Sequence, residues 1–247
     1  MASHLFYWKG DYVCMDLKKT DGEFIGRFNY FAYKEVVEEE GQQLDETTRY
    51  MVILAALAGC QGIEEYKLVL KEALERGFNP VMAKEIVYQA VAYLGIGRVR
   101  PFLDATNEVF QVCGIMLPLE GQAVTTLDDR LEKGVQLQSE IFGEHMKEAW
   151  KAGHINRWLA ANCFGDYYTR KGMSLAQREI VTFCYLMAQG GCEPQLTAHA
   201  AGNINLGNDK EFLIRVVSQC LPYIGYPRSL NAIACVNKAE ENVQKQK

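Results

Sequence analysis

The residues best suited to chemistry lie in one ten-residue stretch, Gly190-Gly191-Cys192-Glu193-Pro194-Gln195-Leu196-Thr197-Ala198-His199. Two glycines interrupt the preceding helical pattern, and a proline favours the first turn of a new helix. Cys192 is therefore predicted to lie at a helix N-terminus, where the positive end of the helix dipole stabilises a thiolate. His199 follows Cys192 by seven residues, which places both side chains on one helix face. A thiol and an imidazole so placed can relay protons or form an ion pair.

Four further side chains are candidates for the same site. Glu193 could assist His199, or it could simply stabilise the helix N-terminus as an acidic residue. Arg228 could hold a substrate carboxylate through two hydrogen bonds, with Tyr223 lining the pocket. The alternatives for these two residues are a helix-start ion pair and a core tyrosine. Lys67 is a candidate pocket cation, and the alternative for it is a solvated helix face.

Helices are predicted to position these residues through most of the chain. Apolar residues recur at three- and four-residue spacing in eleven segments between residues 35 and 243. The exception is the N-terminus, where residues 1–33 hold nine of the 27 aromatic residues. Residues 1–29 are accordingly predicted to form an aromatic arm or a short hairpin.

An internal repeat organises the helical part of the chain. Ile86–Arg98 is similar to Val216–Arg228, and each copy contains Tyr-x-Gly-x-x-Arg. The segment 114–126 contains a proline and a glycine without helical periodicity, so it is predicted to be a linker. The predicted division is an arm over 1–29, a first repeat over 30–113, the linker, and a second repeat over 127–247.

The repeat also shows which residues of the first copy correspond to the candidate site. Matching the glycine-cysteine pairs aligns Cys60 with Cys192 and requires a two-residue deletion before Gly207. On this alignment Lys67 takes the position of His199. The first copy is therefore predicted to have lost the original chemistry.

Composition excludes several classes of partner and cofactor. The 247 residues carry a net charge of −5 at pH 7, without the basic footprint of a protein that binds nucleic acid or an anionic membrane. The eight cysteines form no C-x-x-C pair, so we expect reduced thiols rather than a disulfide framework or structural zinc. No metal, nucleotide or other cofactor motif is found. A cytoplasmic protein is expected, because no signal sequence or long apolar stretch is present.

The pattern Gly-Cys-x-x-x-Leu-x-x-His, followed by Tyr-x-Gly-x-Pro-Arg, resembles the carboxymuconolactone decarboxylase family, which is related to the alkylhydroperoxidase-D-like proteins. The resemblance covers about 127–239 well and about 30–112 more weakly. It implies an all-α fold in which the two repeats form a pseudo-dimer. It also implies a homo-oligomer, either a trimer of two-repeat chains that rebuilds a six-unit ring or a dimer.

The resemblance also implies site residues. The family's histidine corresponds to His199, its first cysteine to Cys192, and its glutamate to Glu179, with one extra residue before the cysteine. Peroxide-reducing members carry a second cysteine where this chain has Gln195. A resolving thiol could then come only from Cys60 or Cys163, through tertiary proximity.

Three functions remain open on the sequence. The first is a cofactor-independent enzyme that acts on a small carboxylate or lactone, with His199 as the general acid or base. The second is a thiol peroxidase that acts on a hydroperoxide, with Cys192 as the nucleophile. The third is a non-catalytic binding or scaffold module, which the degenerate first repeat would permit.

Overall fold

The computed structural model describes residues 17–246, and within that range it contains helices and no strand. The prediction of an all-α fold is confirmed. Most of the predicted aromatic arm, including its proposed hairpin, lies outside the described residues. The last part of that arm, residues 17–29, is helical rather than extended.

The first half begins with three short helices, of which the second and third are joined by a π-helical turn at Phe31–Glu35. These helices are α1 (Leu17–Thr20), α2 (Gly22–Tyr30) and α3 (Val36–Glu38). Four longer helices follow: α4 (Glu46–Cys60), α5 (Ile63–Glu75), α6 (Pro80–Leu94) and α7 (Ile96–Val112). Side chains of Asp45 and Asn79 accept backbone N–H groups at the starts of α4 and α6, which fixes where these helices begin.

The second half repeats this order after a longer entry. The entry consists of α8 (Arg130–Phe142), a 3-10 segment (Glu144–Ala152), α9 (His154–Trp158) and a π-helical segment (Leu159–Tyr168). Four long helices follow: α10 (Leu175–Gln189), α11 (Glu193–Asn205), α12 (Lys210–Ile224) and α13 (Tyr226–Gln246). A capping box formed by Ser174 and Gln177 begins α10.

Helix lengths establish how the two repeats correspond. Helices α4 and α10 each have 15 residues, α5 and α11 each have 13, and α6 and α12 each have 15. The Tyr-x-Gly motif recurs because Gly95 and Gly225 end equivalent helices with φ of 77° and 80°. Glycine adopts this backbone conformation without the strain that a Cβ brings.

The predicted alignment of Cys60 with Cys192 is wrong. Cys60 is the last residue of α4 and corresponds to Gln189, whereas Cys192 precedes α11 as Gly62 precedes α5. The turn between α10 and α11 holds one extra residue, and there is no later deletion. His199 consequently corresponds to Val69, and not to Lys67.

The halves share one core because the third long helix of each half contacts the other half, while α6 also packs on α4 of its own half. Helix α4 packs on α10 at the centre, while α6 packs on α10 and α12 packs on α4. Gly59 permits the central contact, since a Cβ there would lie 2.7 Å from the carbonyl oxygen of Tyr185. None of the helices within residues 17–246 has both the length and the apolar character that a membrane crossing requires.

Candidate active site

The centre of the candidate site is a hydrogen-bonded pair formed by His199 of α11 and Glu179 of α10. Nδ1 of His199 lies 2.6 Å from Oε1 of Glu179. The glutamate is fully buried, and the histidine is 9% exposed. Asn203 holds the two helices together, because its amide donates to the backbone carbonyls of both residues. Two adjacent helices thus fix a buried carboxylate against an imidazole.

The free nitrogen of His199 is the reactive end of this pair. A carboxylate only accepts hydrogen bonds, so Nδ1 carries the proton and Nε2 keeps its lone pair in the neutral imidazole. Among residues 17–246 no partner contacts Nε2, and it is not one of the buried polar atoms that lack a partner. Nε2 is therefore the nitrogen of His199 that remains for proton exchange with a bound molecule.

Aromatic rings hold the imidazole on two sides. The ring of Tyr93 lies 5.5 Å from that of His199 at 79°, and the ring of Phe142 lies 5.3 Å away at 81°. Both contacts are edge-to-face, the favoured arrangement for such rings. On the far side of the carboxylate, the hydroxyl of Tyr168 donates to Oε2 of Glu179 over 2.8 Å. The sequence did not single out Tyr168, Phe142 or Asn203.

Cys192 occupies the predicted helix N-terminus but is not activated there. Its thiol donates to the carbonyl of Leu186 over 3.3 Å, back toward the end of α10, and it makes no capping hydrogen bond to α11. Burial raises the pKa of the thiol, and the negative charge of Glu193 acts in the same direction. Desolvation of the thiol thus acts against the thiolate that the helix dipole is predicted to stabilise.

Cys192 and His199 do not form a pair. Seven helical residues separate their Cα atoms by about 10 Å along the axis. No hydrogen bond or ring contact joins them within the described part of the chain. The thiolate–imidazolium pair that the spacing predicted is therefore absent from residues 17–246.

Arg228 and Glu193 lie beside Cys192 rather than beside His199. These three residues line a crevice of about 10 Å³. A cavity of this size holds about one water molecule, so it cannot admit a small carboxylate without rearrangement. The structure thus groups three of the predicted site residues together, away from the histidine.

Tyr223 contacts helix α2, and Lys67 lies within the first repeat. The ring of Tyr223 contacts that of Phe28 at 6.1 Å, and burial raises the pKa of the Tyr223 hydroxyl. Lys67 forms an ion pair of 3.0 Å with Glu108. Because α6 packs on α10 as well as on α4, it is Tyr93, the counterpart of Tyr223, that reaches His199. The recurrence of Tyr-x-Gly-x-x-Arg was the available signal for this residue.

Within the described residues, the two predicted resolving thiols, Cys60 and Cys163, have their hydrogen-bond partners elsewhere than at Cys192. The thiol of Cys163 donates to the hydroxyl of Tyr93 over 3.4 Å, and burial raises its pKa to about 12. The thiol of Cys60 points to the carbonyls of Leu57 and Tyr223. All seven cysteines within the described residues are free thiols. Residues 17–246 also contain no cluster of three His, Cys, Asp or Glu side chains that could hold a metal ion.

The model of the "Carboxymuconolactone decarboxylase family" matches this sequence twice, at residues 24–108 and 154–238. The chain belongs to this family. The two matches together span more than half of the chain, and they confirm the tandem repeat. The second match contains Tyr168, Glu179 and His199, while α8 with Phe142 lies before it. A comparison with curated proteins gives no match.

Proposed function

We propose that the chain is a cofactor-independent enzyme that moves protons on a small carboxylate or lactone, with His199 as the general acid and base. The observation that carries the proposal is the 2.6 Å bond from His199 Nδ1 to a fully buried Glu179, with no partner at Nε2 among the described residues. A carboxylate in this position orients the imidazole and stabilises its protonated form. The family that the chain belongs to supplies the class of substrate.

The proposed reaction is the decarboxylation of an unsaturated lactone. The bond between the ring carbon and the carboxylate breaks, carbon dioxide leaves, and the electron pair moves into the conjugated lactone carbonyl. The imidazolium of His199 then protonates a ring carbon from Nε2 and becomes neutral. A proton from water restores it, so atoms and charge balance without a cofactor.

The proposal does not place the substrate carboxylate on Arg228 or Lys67, the two candidate cations of the sequence. Arg228 lines the crevice at Cys192, and Lys67 pairs with Glu108 of the first repeat. Peroxide chemistry at Cys192 is also not included, because its thiol has a raised pKa and does not contact His199. The acid–base pair is the part of the site that supports a function.

Turnover of unsaturated lactone carboxylates, followed by carbon dioxide release and ultraviolet absorbance, tests the proposal. His199→Ala should lower kcat about 100-fold or more, the usual contribution of a general acid or base. Glu179→Gln should also lower kcat, because an amide cannot stabilise the imidazolium by charge. His145→Ala is the matched control, since His145 is exposed and belongs to the 3-10 segment away from the pair. Full activity of His199→Ala would refute the proposed role.

A further inference from the structure

Behind the carboxylate of Glu179 lies a group of buried hydroxyls. Oη of Tyr168 is 2.8 Å from Oε2 of Glu179 and 2.6 Å from Oγ1 of Thr182. Oη of Tyr93 is 2.9 Å from Oη of Tyr168. Tyr168 is 3% exposed and Thr182 is fully buried, so water does not compete strongly for these bonds.

The direction of one branch follows from Gln89. The guanidinium of Arg178 only donates, and it donates to Oε1 of Gln89 over 3.0 Å. This fixes the amide, so Nε2 of Gln89 donates to Oγ1 of Thr182 over 2.9 Å. The hydroxyl proton of Thr182 is then available to Tyr168.

The second branch runs in the same direction. The thiol of Cys163 donates to Tyr93, which donates to Tyr168. Tyr168 thus accepts two hydrogen bonds and donates one to Glu179, which can only accept. The hydroxyl protons of Thr182, Tyr93 and Tyr168 therefore all point toward the carboxylate.

We propose that Tyr168 and Tyr93 are positioning residues for the pair formed by Glu179 and His199, so that the first repeat completes the site of the second. Tyr93 belongs to α6 of the first repeat, as does Gln89, and each branch therefore passes through a residue of the first repeat. The inference rests on the proposed function for its catalytic meaning, but its structural content can be tested without a substrate.

The expected physical effect is on the hydrogen bond between His199 and Glu179. Tyr168 satisfies Oε2, which leaves Oε1 aligned with Nδ1 of the imidazole. Without the Tyr168 hydroxyl, Oε2 would be buried with no donor, a costly state that the carboxylate can relieve by rotating. Rotation would weaken the bond to His199. Loss of the Tyr93 hydroxyl would act in the same direction but less, since it weakens the bond from Tyr168 only indirectly.

The test is nitrogen-15 and proton NMR of the imidazole groups in the full chain without substrate, with the His199 signals assigned from His199→Gln. The wild type should show the Nδ1–H tautomer with a downfield Nδ1 proton. Tyr168→Phe should shift that proton upfield and speed its exchange with water on the order of tenfold, as expected for a weakened bond to a charged group. Tyr93→Phe should give a smaller change of the same sign.

Tyr66→Phe is the matched control. Tyr66 is fully buried, and its hydroxyl bonds to Thr106 over 2.8 Å in the first repeat. This variant loses one buried hydroxyl, as the test variants do, but should leave the His199 signals unchanged. Thr182→Val should resemble Tyr93→Phe, whereas Thr182→Ser should retain the wild-type signals because it keeps the hydroxyl.

His199 signals that stay at their wild-type values in both tyrosine variants would overturn the inference. If Tyr168→Phe does not fold, Tyr93→Phe and Thr182→Val decide the question by the same criterion. A failure to turn over lactones would refute the proposed function, but the NMR result could still be interpreted. The two failures are therefore distinguishable.

Discussion

Gly202 of α11 leaves the space that the carboxylate of Glu179 occupies. A Cβ built at Gly202 would lie 2.6 Å from Oε1 of Glu179, 2.8 Å from Ile141 and 3.0 Å from Phe142. Contacts of 2.6 and 2.8 Å are shorter than side-chain carbons tolerate, so one of the groups must move. The carboxylate cannot move freely, because both of its oxygens are hydrogen-bonded. Gly202→Ala should therefore disturb the site as well as the packing.

The magnitude follows from the two ways in which the methyl group could be accommodated. Strain in a close-packed region costs about 1–3 kcal/mol. Movement of Glu179 instead loses charge-assisted hydrogen bonds worth about 1.5–3 kcal/mol. Alanine stabilises the helix by about 1 kcal/mol relative to glycine, because its helix propensity is higher. The net loss of up to about 2 kcal/mol should lower Tm by up to about 8 °C in a chain of this size.

Thermal unfolding of Gly202→Ala beside Gly97→Ala measures this effect. Gly97 lies in α7 with no atom within 4 Å of a built Cβ, so its substitution should raise Tm or leave it unchanged. The downfield Nδ1 proton of His199 should also shift in Gly202→Ala only. If Gly202→Ala were as stable as Gly97→Ala and kept the wild-type His199 signals, the close packing of α11 on the carboxylate would be refuted.

Two further outcomes test the repeat interface and the thiol. Glu85→Ala should destabilise the chain by about 3–5 kcal/mol, because the buried Arg178 would lose the partner of its charge. The control Glu23→Ala, at an exposed ion pair, should change the stability by less than about 1 kcal/mol. Equal effects of the two variants in urea unfolding would contradict this prediction. The rate at which iodoacetamide alkylates Cys192 should still increase at pH values above the pKa of an exposed cysteine. The reason is that burial raises the pKa of this thiol and keeps it protonated at neutral pH. Mass spectrometry of the labelled peptide measures the rate, and a plateau by pH 7 would show an activated thiolate instead.

Local rules were enough to predict the helix that carries His199. The proline at position 194 lies in the first turn of α11 with Cys192 immediately before the helix, as its sequence context indicates. The same local reasoning did not include the burial of the thiol, because the dipole argument considers one helix end alone. The direction of the Cys192 side chain is set by α10, which the local sequence does not contain.

Tertiary packing decided the rest of the site. Tyr93 and Tyr168 reach the pair from positions 106 and 31 residues before His199 in the sequence. Tyr93 arrives there because α6 packs across the repeat boundary, a contact that a sequence alignment between repeats does not reveal. The alignment itself failed at Cys60, where residue identity was misleading and only the helix ends showed the one-residue insertion.

The corresponding positions of the first repeat explain why the duplication gives a single acid–base pair in the described chain. Tyr50 replaces Glu179 there, and its hydroxyl donates over 3.0 Å to Glu72, which stands where the second repeat has Gly202. The acid has thus moved from one helix to the other, and the glycine that makes room for Glu179 is not needed. The first repeat keeps a tyrosine–glutamate bond between α4 and α5 in place of the glutamate–histidine bond. Its loss of the histidine is compatible with retention of Tyr93, because Tyr93 acts in the site of the other repeat.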